Sequence, residues 1–412
     1  MSRAATQRRL VALVQVLSLC VWFSASAVAP ALRIQWSMSA AAAVWLTASV
    51  QLGFVVGAVT STAFNLADRI RPHLLMGSCG LAAAICTGLF AAIANNLVIG
   101  ITLRVATGVF LAGVYPVGMK LMASWAEPAR RGRAFGVLIG ALTLGSGLPH
   151  LISGLGALPW RAVMTTAAII GAVGAVLAFA AVRSGPYLHT GAARPNPRYA
   201  LTMFTERGPR LVNLGYFGHM WELYALWTWL PSFLAAGHTA RTGDGGGSVE
   251  VLTFISIGVA GVAGCLLGGW AADRFGRPAA AVGALIVSGL CCLLSPLVFT
   301  TAPAVVVILI VIWGAGVIAD SGVFSTSLSE VADHRYIGTA LTAQTAIGFT
   351  LTVVTIQLVP LLANAVGWRW AFLLLAPGPV VGAVAMLRFG RSHLPALENR
   401  TAPITNPLEG SP

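Results

Sequence analysis

The chain has little charge. Charged residues make up 9% of its 412 residues, whereas a typical soluble domain carries about 25%. Hydrophobic residues make up 57%, and the mean hydropathy is +0.83. A globule in water cannot bury so much apolar surface, so the composition excludes a soluble protein and predicts an integral membrane protein in a lipid bilayer. The net charge of +13 does not indicate a nucleic-acid partner, because nearly all the basic residues lie in short gaps between apolar stretches.

Lysine and loop cysteines are also scarce, and their scarcity excludes several kinds of site. The single lysine is Lys120, and Met119 stands where an ATP-binding P-loop needs its lysine, which argues against an ATP-driven pump. All six cysteines lie inside apolar segments, so neither a disulfide framework nor a metal site is expected. No H-E-x-x-H or nucleophile-elbow context is present. We therefore expect no cofactor, no metal and no enzyme.

Long apolar runs dominate the chain, and each is long enough to cross a bilayer as a helix of about 20 residues. They do not alternate with polar residues, so they exclude barrel strands. The first run follows three arginines but ends without a signal-peptide cleavage site, and we interpret it as a membrane helix. The predicted spans lie near residues 10–32, 39–64, 74–95, 98–123, 134–157, 161–183, 211–235, 249–271, 279–299, 303–326, 337–364 and 370–389.

One long polar stretch divides these twelve spans into six and six. The sequence therefore predicts a first six-helix bundle over 1–183, a cytoplasmic linker over 184–210, a second bundle over 211–390 and a disordered tail over 391–412. Nineteen arginines fall on one side of this topology and four on the other. Because arginine-rich loops stay inside, we predict that both termini are cytoplasmic and that the protein lies in the inner or plasma membrane.

The two halves repeat one another. The Leu-Ala-Asp-Arg of residues 66–69 returns as Ala-Ala-Asp-Arg at 271–274, 205 positions later, and Gly132 returns as Gly338. Duplication in so apolar a chain predicts two pseudo-symmetric bundles that face each other, as in secondary transporters.

The second copy of that repeat carries a known signature. Residues 269–277 read Gly-Trp-Ala-Ala-Asp-Arg-Phe-Gly-Arg, which resembles the G-x-L-A-D-R-x-G-R loop of the major facilitator superfamily. In the first copy, Phe64 and Arg71 replace the glycines. The resemblance covers the whole chain and implies an all-α integral membrane fold of twelve transmembrane helices. It also implies transport of a small solute by alternating access, and we expect a monomer.

The signature loops suggest a gate. A carboxylate there can face the positive N-terminal end of a helix in the opposite bundle and, as the resemblance implies, hold the cytoplasmic side shut. The alternative is that these charges only set topology. The candidate gating residues are Asp68, Arg69, Asp273, Arg274, Gly276 and Arg277.

The seventh span contains two ionisable residues on one helical face, His219 and Glu222. A charge on either is costly in low dielectric, so we expect them to share a proton or to contact the solute. The alternative is a pair that only stiffens the bundle. Asp320 and Ser321 in the tenth span are further candidates for proton handling.

Four more residues are candidates for the cavity that helices 1, 4, 7 and 10 line in this family. Arg104 in the fourth span has three open roles: solute binding, proton coupling or helix packing. Tyr115 in the fourth span and Ser24 in the first are further candidates. His150, after Pro149 in the fifth span, is either a group of the cavity or a packing histidine. The glycines of the fifth span are more typical of helix packing than of an exporter signature. Trp227 and Trp229 are expected at the outer membrane interface.

The leading hypothesis is a proton-coupled secondary transporter whose partners are a small solute and protons. Within that class, drug or metabolite efflux by antiport and uptake of an organic or inorganic anion by symport both stay open. A passive channel is less favoured, because a two-half repeat predicts rocking bundles rather than a ring of filters. An intramembrane enzyme has no motif to support it.

Overall fold

The computed structural model describes residues 3–127, 131–155, 158–188, 199, 201–243, 249–333 and 336–401, with side chains described except at 40, 41, 68, 131, 202 and 393–401. The described residues form helices and connecting turns. The long helices are α1 (Arg3–Gln35), α2 (Ala40–Ala63), α3 (Pro72–Ile93), α4 (Leu97–Ser124), α5 (Arg131–Gly154), α6 (Trp160–Ala180), α7 (Arg207–Thr242), α8 (Val249–Phe275), α9 (Arg277–Val298), α10 (Pro303–Val331), α11 (Ile337–Val366) and α12 (Trp368–Ser392).

Eleven of these helices, within the described residues, are long and apolar enough to cross a membrane. The helix outside that group is α7, which contains Asn213, His219 and Glu222. The predicted all-α membrane fold is confirmed. The number of helices that cross the bilayer and the side on which the termini lie stay predictions.

The helices pack in two groups. In the first half, α1 contacts α5 and α6, while α4 lies between α2 and α3. In the second half, α7 contacts α10, α11 and α12, and α9 contacts α8 and α12. The two halves meet along two seams, α2 against α11 and α5 against α8. The space between the seams is where a site shared by both halves can form.

Among the described residues, α8 contains a π-helical segment (Ile255–Ala260) and α12 a 3-10 segment (Phe372–Leu375). Three other helices are broken by turns of three or four residues, and two of these breaks follow the sequence repeat. α1 breaks at residues 20–23, α4 at 112–114 and α10 at 317–320. The breaks of α4 and α10 begin 205 residues apart, the same spacing as the repeated motif. Each break leaves backbone groups without helical partners, and each is followed at once by candidate site residues, Tyr115 in α4 and Ser321 in α10.

Glycines let broken and unbroken helices approach closely at equivalent places in the two halves. A Cβ atom on Gly57 of α2 would collide with the carbonyl of Val109 in α4, and one on Gly264 of α8 would collide with the carbonyl of Ala315 in α10. Such backbone contact is what small residues provide between membrane helices. It fixes α10 beside α8 just before the break in α10.

The two signature loops turn differently. Gly276 takes a left-handed φ of +84°, which favours glycine. The equivalent residue in the first half, Arg71, has φ −55°, and Asn65 takes the left-handed conformation there instead, with φ +52°. We call the end of the molecule that carries segments 64–72 and 269–277 the motif end, and the other end the far end.

Candidate functional site

A cavity of about 1090 Å³ lies between the two halves and extends from the motif end into the molecule. Charged side chains line its mouth, among them Lys120, Asp273, Arg277 and Glu330. Deeper in, its walls are hydroxyl-bearing and aromatic. The deeper lining includes Thr62, Tyr115, Phe135, Ile139, Leu142, Tyr216, His219, Met220, Leu223, Tyr224, Ser321, Ser325, Thr342, Thr345 and Phe349.

The cavity ends on a layer of aromatic side chains, which we call the aromatic layer: Trp22, Phe23, Phe54, Tyr224, Trp227 and Phe349. The first three come from α1 and α2, and the last three from α7 and α11. Phe54 and Phe349 meet across the halves with ring centroids 4.6 Å apart, and Trp22 lies 5.9 Å from Tyr224. All six rings are buried. The layer therefore separates the cavity from the far end.

A chain of three polar side chains runs from the cavity wall into the second half. Nε2 of His219 lies 2.8 Å from the hydroxyl oxygen of Ser321, and Nδ1 lies 2.8 Å from a carboxylate oxygen of Asp320. His219 and Ser321 line the cavity, whereas Asp320 is buried behind them with 1% of its surface exposed. An imidazole between a hydroxyl and a carboxylate can pass a proton between the cavity and the carboxylate.

The predicted pairing of His219 with Glu222 does not form. Glu222 is fully buried in the second half, where its Oε1 accepts hydrogen bonds from the indole N–H of Trp313 at 2.6 Å and from the thiol of Cys292 at 3.3 Å. It is not among the cavity-lining residues. A spacing of three residues places two side chains on neighbouring parts of a helix surface, but their partners on other helices decide where each one points.

Arg104 binds the break in α1. Its guanidinium donates to the backbone carbonyls of Val21 at 2.9 Å, Leu46 at 3.3 Å and Trp22, and to the hydroxyl of Ser24 at 3.3 Å. The side chain is fully buried. Arg104 supplies the donors that the broken helix lacks, and Ser24 belongs to that arrangement rather than to the cavity wall.

Two other predicted positions behave differently from one another. Tyr115 lines the cavity just after the break in α4. His150 is buried in α5 beyond the cavity lining, and neither of its ring nitrogens has a hydrogen-bond partner in the described part of the chain.

The prediction that Trp227 lies at the membrane interface is wrong, because Trp227 is fully buried in the aromatic layer. Trp229 donates to the carbonyl of Ile356.

At the motif end, one signature carboxylate lies against the opposite half. Nε of Arg133 is 3.7 Å from Asp273, and a Cβ on Gly132 would lie 3.4 Å from the same carboxylate, so Asp273 sits at the N-terminal end of α5. Arg133 is 82% and Asp273 51% exposed, which makes the ion pair weak. Arg277 pairs with Glu330 inside its own half.

The remaining gating candidates are less informative. Arg69, Arg274 and Gly276 are exposed, and the side chain of Asp68 lies outside the described residues. The described residues contain no group of three or more histidine, cysteine or acidic side chains that could hold a metal ion.

Sequence reasoning missed two contacts between the halves. The hydroxyls of Thr62 and Thr342 lie 2.7 Å apart across the seam of α2 and α11, and Phe54 and Phe349 meet farther along the same seam. The available signal was the helical spacing of these residues, eight apart in α2 and seven apart in α11. That spacing does not reveal which helix faces which.

The sequence was compared with known protein families and relatives. The sequence model of the Major Facilitator Superfamily matches residues 11–356. The chain is 23% identical over 396 residues to the sodium-dependent phosphate transport protein 3 of Mus musculus, covering 87% of this chain and 80% of that protein. It is 26% identical over 302 residues to the gallate transporter of Pseudomonas putida, covering 64% of each.

Solved structures show the same fold. A bacterial homologue of the human lysosomal transporter Spinster, in an inward-facing and unoccupied conformation, matches 96% of this chain and 99% of its own, with a TM-score of 0.70 and 15% identity. The xylose transporter XylE from E. coli, in a partially occluded inward-open conformation, matches 94% and 99%, with a TM-score of 0.69 and 14% identity.

Proposed function

Since the chain belongs to the Major Facilitator Superfamily, we propose that it moves a small solute by alternating access and couples that movement to protons. Family membership makes the protein a multi-pass membrane transporter rather than an enzyme.

The observation that carries proton coupling is the chain of Ser321, His219 and Asp320. It joins the solute cavity to a buried carboxylate through two contacts of 2.8 Å. Ionisable groups inside a membrane protein are costly, and they typically mark ion pathways. Asp320 takes up a proton through His219 while the cavity is open and holds it through the conformational change. Glu222, which bonds to Trp313 and Cys292 away from the cavity, anchors α7 inside the second half.

The names of the two relatives favour an anionic solute, since one is a phosphate and the other a gallate transporter. The aromatic and hydroxyl-bearing walls of the cavity suit an aromatic acid such as gallate. We therefore propose symport of a small organic or inorganic anion with protons, in the direction of uptake. Efflux by antiport is the alternative.

The arginine-rich loops support placing the motif end in the cytoplasm of a cell with an inner or plasma membrane. In that orientation the cavity opens inward, and the aromatic layer closes the outer side. Asp273 contacts α5 of the opposite half at the motif end through a weak, exposed ion pair with Arg133.

The test uses proteoliposomes and two labelled probes, gallate and inorganic phosphate. We expect a pH gradient, acidic outside, to drive accumulation of gallate, and a sodium gradient at equal pH to drive none. Asp320→Asn is expected to abolish accumulation while it retains exchange of labelled for unlabelled gallate, because exchange needs no net proton movement.

Three outcomes would contradict the proposal. Accumulation driven by a sodium gradient alone would show that sodium, and not the proton, is the coupling ion. Accumulation under the opposite pH gradient would indicate antiport. If uptake by both Asp320→Asn and His219→Gln depends on the pH gradient as in the wild type, then Ser321, His219 and Asp320 do not couple transport to protons.

A further inference from the structure

Four side chains near the aromatic layer carry buried polar atoms that have no partner. The indole nitrogens of Trp22 and Trp227, both amide atoms of Gln51 and both ring nitrogens of His150 lack a hydrogen bond within the described residues. Each of these side chains is at most 2% exposed. Buried polar groups are nearly always bonded, since an unsatisfied one costs free energy. Such groups call for a partner that the described residues do not supply in this conformation.

Gln51 lies on the face of α2 that lines the cavity. Ala58, Ser61 and Thr62 line the cavity, and the same face continues at helical spacing through Phe54 to Gln51. Phe54 belongs to the aromatic layer. Gln51 therefore lies one turn beyond the layer, on the side away from the open cavity.

His150 lies on the face of α5 that meets the other half, toward the far end. Ile139 and Leu142 line the cavity, and their face continues at helical spacing to His150. On either side of His150, α5 meets α8 of the other half: a Cβ on Gly147 would lie 3.2 Å from Gly258, and one on Gly154 would lie 2.9 Å from Val251. His150 therefore lies on the seam that must part if the far end opens.

The two tryptophans flank the ring of Tyr224, Trp22 from the first half and Trp227 from the same helix as Tyr224. Trp22 lies 5.9 Å and Trp227 5.6 Å from Tyr224, measured between ring centroids. The backbone of Trp22 also accepts a hydrogen bond from Arg104. The described residues give that fully buried guanidinium no carboxylate partner, so its positive charge lies uncompensated beside Trp22.

We propose that Trp22, Gln51, His150 and Trp227 form a second solute site, exposed when the halves part at the far end, that binds the oxyanion group of the incoming solute. The four side chains offer N–H donors, and such donors stabilise an oxyanion when they are fixed in place. Arg104, whose donors are taken by the α1 break, adds positive potential without being a ligand. The inference rests on the proposed alternating access, and it adds the place and the chemistry of first contact.

Cysteine labelling from the far end tests the location without any solute. Gln51→Cys and His150→Cys are treated with a membrane-impermeant maleimide applied to the far side, and the wild type, with its six native cysteines, sets the baseline. The control is Thr87→Cys, since Thr87 is equally buried in α3 but bonds to the carbonyl of Ala83 inside the first half. We expect labelling of the first two variants, slowed by gallate, and none of the control. Labelling no faster than the control would overturn the proposed site.

A matched pair of glutamines tests the chemistry. Gln51 and Gln344 are both buried, but only Gln344 has a partner, the Asn213 side chain at 2.8 Å. Gln344→Leu is expected to lower the melting temperature. Gln51→Leu is expected to keep or raise it, and to weaken gallate binding from the far side about 3- to 10-fold. Equal loss of melting temperature in both variants, or unchanged far-side affinity in Gln51→Leu, would contradict the inference.

The two proposals fail in different experiments. If the wild type moves neither gallate nor phosphate in either direction, the proposed transport of these anions is contradicted. If gallate is transported but Gln51→Cys and His150→Cys stay unlabelled, only the second site is removed.

Discussion

Glu222 shows at the scale of one residue why burial alone does not define a role. Its carboxylate accepts bonds from Trp313 and Cys292 and lies away from the cavity lining. We predict that Glu222→Gln keeps the dependence of gallate uptake on the pH gradient, because an amide still accepts both bonds. Uptake assays at a series of external pH values, from about 5 to 8, check this.

Glu222→Leu provides the contrast. It leaves the buried Trp313 indole without an acceptor, which costs about 1–3 kcal/mol, so we expect a lower melting temperature than in Glu222→Gln. Loss of proton dependence in a well-folded Glu222→Gln protein would instead return Glu222 to the coupling path.

Arg104 gives a second prediction at this scale. Arg104→Met removes the donors of three backbone carbonyls, each of which then costs about 1–3 kcal/mol when left unbonded, and we expect a marked fall in melting temperature. The melting temperature of Arg104→Lys should lie between those of the wild type and Arg104→Met, because an ammonium group lacks the planar set of donors with which a guanidinium reaches several acceptors. Arg33→Met, at an exposed position of the same half, should change stability by less than about 0.5 kcal/mol. Equal stability of the Arg104→Met and Arg104→Lys variants would contradict the conclusion that the hydrogen bonds of Arg104 stabilise the break in α1.

The sequence identified the ionisable residues inside apolar helices more reliably than it identified their hydrogen-bond partners. His219, Asp320 and Arg104 stand out because charge within an apolar run is rare. Their partners lie on other helices: Asp320 is about 100 residues from His219, and Val21 more than 80 from Arg104. Spacing along one helix cannot reveal such contacts, which is why Glu222 was paired with the wrong side chain.

At the scale of helices, the predicted spans agree with the observed helices to within a few residues at most ends, because apolar length is a direct signal. The interruptions in α1, α4 and α10 were not predicted. Their sequences remain apolar through the break, as in 112–114 and 317–320, so hydropathy does not change there. The break in α1 is stabilised by contacts from outside the helix, those of Arg104.

Close packing of α8 on α10 is expected to maintain one of these breaks. Gly264→Ala places a Cβ against the carbonyl of Ala315, and overpacking of this kind costs about 1–3 kcal/mol. Gly283→Ala is the control, since a Cβ at that position in α9 meets nothing within 4 Å. We predict that thermal unfolding shows a loss of stability for Gly264→Ala and none for Gly283→Ala. Similar melting temperatures would show that α10 does not depend on this contact.

For the whole molecule, the internal repeat was the most informative signal, because two copies of a membrane unit imply two facing halves. Family membership confirmed the expected class. The repeat does not specify which end is open. That depends on contacts between the halves, such as the contact of Phe54 with Phe349 in the aromatic layer.

The aromatic layer is expected to set the balance between conformations. Phe349→Leu removes ring contacts with Phe54 at 4.6 Å and Tyr224 at 5.0 Å, and an aromatic pair adds about 0.5–1.5 kcal/mol beyond the area it buries. A loss of about 1.4 kcal/mol shifts a two-state equilibrium tenfold. We therefore predict up to about tenfold faster far-side labelling of Gln51→Cys. Phe90→Leu controls for general loosening, because Phe90 packs on Trp36 and Trp160 within the first half. Equal labelling rates in the two backgrounds would mean that the layer does not hold the far end closed.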